Sequence, residues 1–376
     1  MDINSQWIYD FSDLDVSHPV NTGVTPFFSI MGWYLVFLLA IALVCCWYGR
    51  DRIKLIWLSI ILVCFSAFRF GFGSDYFMYI TFIIHHFRHY EPIPAFLEQI
   101  AHDTHPQVFF VTTTLVITFL FLYPVYRKST SPLISFFLYL GYPVFFFSHL
   151  STIRQGLATG FLFWALLITA RSRSALLKKG LAVLLAVLCH FSCVAGVLCF
   201  LRVEKIPKEI LWLGLLLSFA IGQLFPPLLL AYLPDGFFSI KLSQYLDMKA
   251  QGQTLVTLLM YATTVLMMVY HEALVSQSPR NARYINWIYV GVILFNLFAV
   301  NLHMAIRFYG MFASPLLLLM PDLVRAVKVP RPFFYAICVV AFALNIWSAE
   351  RFNDGRHHYY PYQTVFETSA VEWYRH

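Results

Sequence analysis

The sequence predicts an all-α polytopic membrane protein, and three observations carry that prediction. Hydrophobic residues make up 60% of the 376 and charged residues only 12%, where a soluble domain carries about 25% charge. Mean hydropathy is +0.69. Apolar runs near the roughly 20 residues that cross a bilayer recur along the whole chain. Aromatic residues, 18% of the total, suit interface belts and a lipid-facing surface. With no Gly/Ser linker and no internal repeat, residues 1–376 are expected to form one transmembrane bundle.

About ten full transmembrane helices are expected, at 27–48, 54–73, 106–126, 132–149, 154–171, 209–230, 252–271, 284–302, 304–322 and 332–348. Lys and Arg collect in the 49–54, 127–131, 171–179 and 323–331 loops, which the positive-inside rule assigns to the cytoplasm. Both termini then face outward. Much of the net charge of +7 is therefore orientation signal, and no nucleic-acid partner is expected. The seven cysteines (45, 46, 64, 189, 193, 199, 338) lie inside apolar runs, with neither a disulfide framework nor zinc spacing. The first apolar run begins only near Phe27, after an acidic, Ser-rich stretch, so no cleavable signal peptide is expected.

Gly180–Leu201 is long enough to cross, yet Lys178-Lys179 precede it and Arg202, Lys205 and Lys208 follow it. A single crossing would invert every later loop and turn Arg325, Lys328 and Arg331 outward. A re-entrant or bent helical hairpin, turning near His190-Phe191-Ser192 and entering from the cytoplasmic face, keeps the charge rule intact. The outward segments 74–105 and 231–251 are long enough for amphipathic helices of their own, and 349–376 is an outward tail.

Candidate chemistry sits at the outward helix ends. Arg154, in Ser151-Thr152-Ile153-Arg154, falls in a first helical turn, where the dipole disfavours a cation; it either meets a bound anion or snorkels to lipid headgroups. Ser151 or Thr152 is the expected N-cap. Arg307 repeats the pattern behind Asn301, deeper in its helix. His303 lies one turn earlier and is either a companion of that site or an interfacial histidine. Arg69 lies within an apolar run, and Asp75 follows Gly71 and Gly73 at its exit; the two form either an ion pair or a site in which Asp75 accepts a proton. His190 is an ionisable group in mid-segment, catalytic or hydrogen-bonded at the bend. His85 and His89 share a helical face, expected to be a solvated surface. The tail aromatics around Tyr362 are sugar platforms or interface anchors. No acidic pair stands at a membrane exit, so neither a metal nor another cofactor is expected.

Taken in order, five short motifs resemble the EpsG-like branch of the Wzy-type polysaccharide polymerases. They are Arg69-Phe70-Gly71-Phe72-Gly73-Ser74-Asp75-Tyr76, Ile153-Arg154-Gln155-Gly156-Leu157-Ala158, Cys189-His190-Phe191-Ser192, Arg307-Phe308-Tyr309-Gly310 and Tyr360-Pro361-Tyr362-Gln363-Thr364-Val365-Phe366. The resemblance implies a glycosyltransferase of the bacterial cytoplasmic (inner) membrane, with its site toward the extracytoplasmic face. A growing glycan on undecaprenyl diphosphate is the implied donor, and a repeat unit on the same lipid the acceptor. Arg69, Arg154 and Arg307 then face the diphosphate, and Asp75 or His190 activates the acceptor hydroxyl. The motifs add Tyr76, Gln155, Tyr309 and Tyr362, with His303, as substrate contacts. Membrane lipids, a chain-length regulator and a flippase are the implied partners. A lipid-linked oligosaccharide flippase and a membrane acyltransferase acting on surface glycans are the alternatives.

Overall fold

The computed structural model describes residues 32–86, 91–169, 172–222, 224–232, 243, 254–352 and 362–366. Nearly all of them are helical. In chain order the helices are α1 (Trp33–Cys46), α2 (Asp51–Ala67), α3 (Tyr76–Ile84), α4 (Pro92–Asp103), α5 (Gln107–Lys128), α6 (Pro132–Gly141), α7 (Phe146–Ser151), α8 (Ile153–Leu167) and α9 (Arg173–Cys189). A 3-10 helix, Phe191–Phe200, comes next. Then follow α10 (Lys208–Ile221), α11 (Phe225–Tyr232), α12 (Thr254–Val269), α13 (His271–Gln277), α14 (Arg280–Leu297), α15 (Leu302–Ala313), α16 (Leu316–Ala326) and α17 (Arg331–Phe352).

The all-helical class agrees with the sequence, and the ten full spans expected are matched only in part. Among the described residues only two helices, Gln107–Lys128 and Arg331–Ser348, are long and apolar enough to cross a membrane unbroken. Three more candidates are bent pairs: α10 with α11 (81°), Leu255–Val269 with α13 (72°) and α15 with α16 (77°). Proline accounts for part of this. Pro143 forces Tyr142 into extended backbone and ends α6, and Pro315 removes a helical N–H at the α15–α16 bend. Hydropathy averages over such breaks and does not register them. α5 is the central helix, with 61% of its apolar window enclosed, against 17% for the peripheral α17. The exposed Phe333, Ile337, Val340 and Leu344 of α17 suit a lipid-facing surface.

The 180–201 segment folds back on itself. His190 is in extended backbone between α9 and the 3-10 helix. Gly196 meets both strata beneath it: a Cβ there would stand 2.5 Å from Leu162 of α8 and 3.5 Å from Val183 of α9. At the other end Lys179 Nζ lies 5.9 Å from the Phe200 ring centroid. The two ends of the segment therefore meet, and His190 is its apex.

Two short strands, β1 (Arg69–Phe70) and β2 (Gln363–Thr364), pair antiparallel, with Arg69 opposite Thr364. This brings the tail against the exit of α2. Tyr362 stacks on Phe65 at 4.2 Å between ring centroids, and its hydroxyl donates to the Phe65 carbonyl. The segment 74–105 contains α3 and α4, as its length suggested. Most of 231–251 and most of the tail lie outside the described residues.

Candidate functional site

Three helix breaks converge to make the site. The first is the α7–α8 corner. Thr152 stands at the N-cap position of α8, but its hydroxyl donates to the Ser148 carbonyl at 2.8 Å and makes no cap bond. The N–H groups of that end are thus left to other partners. One of them, Arg154 N, donates to the Tyr79 hydroxyl of α3 at 3.3 Å. The corner is held from below by the Gly71–Gly73 loop. Gly73 has φ 103°, and a Cβ there would lie 3.1 Å from the Leu150 carbonyl oxygen and 3.1 Å from Ser151 Cα. Only glycine permits both the conformation and the approach.

The second break is the start of α4. Glu91 sits at its N-cap position, followed by Pro92 in the first turn, a favoured place for proline. The helix dipole there favours a carboxylate. Glu91 Oε2 accepts from Arg154 Nη1 at 2.8 Å. The third break is the hairpin apex, where His190 Nδ1 lies 2.9 Å from Glu91 Oε1. One buried carboxylate therefore joins an arginine and a histidine that are distant in sequence. Burial on its own raises the Glu91 pKa, but the His190 hydrogen bond and the Arg154 charge outweigh it and hold the carboxyl down at about 2. The group is a carboxylate at any neutral pH.

Arg307, in the second turn of α15, completes the cationic side. Asn301 caps α15 through its side chain, accepting from Met304 N at 2.9 Å, as the sequence suggested. Gln155, next to Arg154, donates to the Arg307 carbonyl at 3.2 Å and ties α8 to α15. Arg154 and Arg307 both act electrostatically on His190, and Arg307 also acts on His303, half-buried in the first turn of α15. Arg154, Gln155, His190, His303 and Arg307 thus come together from three regions of the chain.

Other residues singled out in the sequence lie elsewhere. Arg69 is enclosed, with 1% of its surface exposed. It donates to the Ser66 carbonyl, to Thr114 Oγ1 at 3.3 Å and to the Leu150 carbonyl at 3.3 Å, with Phe110 at 5.1 Å. It braces the corner from behind, beside a cavity of about 10 Å³ that also touches Tyr139 and His149. That is room for one water. Asp75, half-buried, accepts from Ser74 Oγ at 2.9 Å and stands one helical turn before Tyr79. Tyr76 is buried against Phe110, Tyr309 shares a 2.8 Å hydroxyl contact with Tyr142, and Tyr362 is buried on Phe65. Each of these three tyrosines packs inside the bundle. His89 lies outside the described residues, so the His85–His89 face does too. No group of three or more His, Cys, Asp or Glu able to hold a metal is found among the described residues.

Fold and site together define a helical membrane protein with a cationic site braced by a carboxylate at helix ends. A sequence profile of the EpsG family matches residues 52–364, and the chain belongs to that family. It is thereby a membrane protein of the polysaccharide-polymerase type. No curated protein and no solved structure matches the chain.

Proposed function

We propose that the protein is a glycosyltransferase that moves a growing glycan from undecaprenyl diphosphate to a lipid-linked repeat unit, on the extracytoplasmic side of the bacterial cytoplasmic membrane. The observation that carries this reading is the Arg154–Glu91–His190 linkage with Arg307 in electrostatic range. An acceptor hydroxyl oxygen bonds to the anomeric carbon of the donor glycan, and the bond from that carbon to the diphosphate oxygen breaks. The hydroxyl proton passes to His190 Nε2. Glu91 accepts from Nδ1–H and so fixes the tautomer that leaves Nε2 as the base. Arg154 and Arg307 meet the charge that develops on the leaving diphosphate, where fixed cations lower the barrier most. Asp75 stands nearer the corner wall and receives no proton in this scheme; beside Tyr79 it orients the acceptor sugar.

The test uses purified protein with lipid-linked repeat units as the only substrate. Polymer and undecaprenyl diphosphate should appear together, one lipid released per linkage formed. Consumption of donor without glycan elongation, or vesicle-to-vesicle movement of intact donor as the sole activity, contradicts the proposal.

A further inference from the structure

The loop joining α16 to α17 makes a pocket of about 310 Å³ that shares no lining residue with the site. Its walls include Ile134, Pro321 and Val324, and Arg325, Lys328 and Arg331 supply three cations. Charge counting assigns this loop to the cytoplasmic face. The cations are only loosely countered. Arg325 Nη1 stands 3.8 Å from Asp322 and Arg331 Nη1 stands 3.9 Å from Asp51, with more than half of each arginine side chain exposed. Asp322 is already committed, accepting from Thr130 Oγ1 and Asn281 Nδ2, each at 2.9 Å.

The backbone adds a second, independent observation. Val329 N donates to the Val324 carbonyl at 3.1 Å and Lys328 N to the Arg325 carbonyl at 3.2 Å. This is the Schellman ending of a helix, which places one residue in left-handed backbone, usually glycine. Here that residue is Lys328, at φ 61°. Lysine at this usually glycine position lines the same pocket as Arg325 and Arg331. The pocket adjoins the start of α17, whose exposed face is apolar.

We propose that this pocket binds the phosphate of an anionic phospholipid headgroup from the cytoplasmic leaflet. The cations take the phosphodiester, and the apolar wall takes the glycerol end of the acyl chains. Basic pockets between helices on this side of a membrane are suited to such headgroups.

The full-length protein is purified in phosphatidylcholine, phosphatidylglycerol is titrated in, and bound lipids are counted by native mass spectrometry. Wild type should retain phosphatidylglycerol selectively. The double variant Lys328→Gly/Arg331→Gln should lose about 25-fold in that retention, near fivefold for each removed charge. Glycine suits φ 61°, so the variant should melt in pure phosphatidylcholine no lower than wild type; this separates loss of binding from loss of fold. Undiminished retention in the double variant overturns the proposal. So does competition by free glycerol phosphate as effective as that by the lipid, which would assign the pocket to a soluble phosphate.

Discussion

Glu91 Oε1 lies 2.9 Å from His190 Nδ1 while Oε2 of the same carboxylate lies 2.8 Å from Arg154 Nη1. The start of α4 is thereby bonded to the apex of a hairpin and to the first turn of α8. The carboxylate is the structural centre of the site, and the catalytic scheme depends on it.

Glu91→Gln keeps the shape and removes the charge. The folded pKa, about 2, is lowered from its ordinary value of 4.5. The stabilisation from this carboxylate is therefore fully present above pH 4.5 and is lost as pH falls toward 2. At pH 7 the variant should be less stable by on the order of 3 kcal/mol, the cost of leaving a buried partner uncompensated. Melting curves should show the gap between variant and wild type closing below pH 4.5. A gap that does not change with pH would mean that Glu91 is not the ionised partner described.

Arg154→Ala and Arg307→Ala should each lower the transfer rate by roughly 10²- to 10³-fold. Lysine at either place should recover little, because a point charge does not reproduce the guanidinium fork. Polymer length is read on gels beside protein level. Wild-type polymer from both lysine variants would reduce the arginines to general surface charge.

Gly73→Ala should displace the α7–α8 corner that carries Arg154. A side chain there meets the Leu150 and Ser151 backbone at 3.1 Å and cannot adopt φ 103° without strain. The cost is about 1–3 kcal/mol, with loss of activity. Gly180→Ala, in the interior of α9 with nothing within 4 Å of the new Cβ, should instead stabilise by about 1 kcal/mol. Equal melting temperatures for the two variants would contradict this packing.

Lys178→Cys and Arg202→Cys report on the hairpin, since its ends meet at Lys179 and Phe200. In a cysteine-free background both should react with an impermeant thiol reagent from the same side, the one that also reaches Arg127→Cys. Labelling from opposite sides would restore a simple crossing.

Much of this was legible in the chain, for identifiable reasons. The helical class follows from composition. Asn301 reads as a cap and serves as one. The turn at His190 followed from charge on both flanks of an apolar segment. Arg154 and Arg307 stood out as cations at outward helix starts. Glu91 carried only a local signal, a lone acid before Pro92-Ile93-Pro94 in an outward segment. Its partners are 63 and 99 residues away, and no spacing rule reaches that far. Tyr79 reads as one aromatic among many. Tyr76, Tyr309 and Tyr362 stand in the quoted motifs, and only packing reveals that their rings face the interior. The helix bends were hidden because hydropathy does not see a break.

The most direct test is the single-turnover rate of His190→Gln on lipid-linked donor and acceptor, with donor affinity measured alongside. Glutamine can still donate an amide N–H to Glu91 but cannot take the proton. The rate should fall by about 10²- to 10⁴-fold, with donor affinity within about twofold of wild type. Polymerisation near the wild-type rate would contradict the assignment of His190 as the base and, with it, the central claim that the Arg154–Glu91–His190 linkage performs glycan transfer.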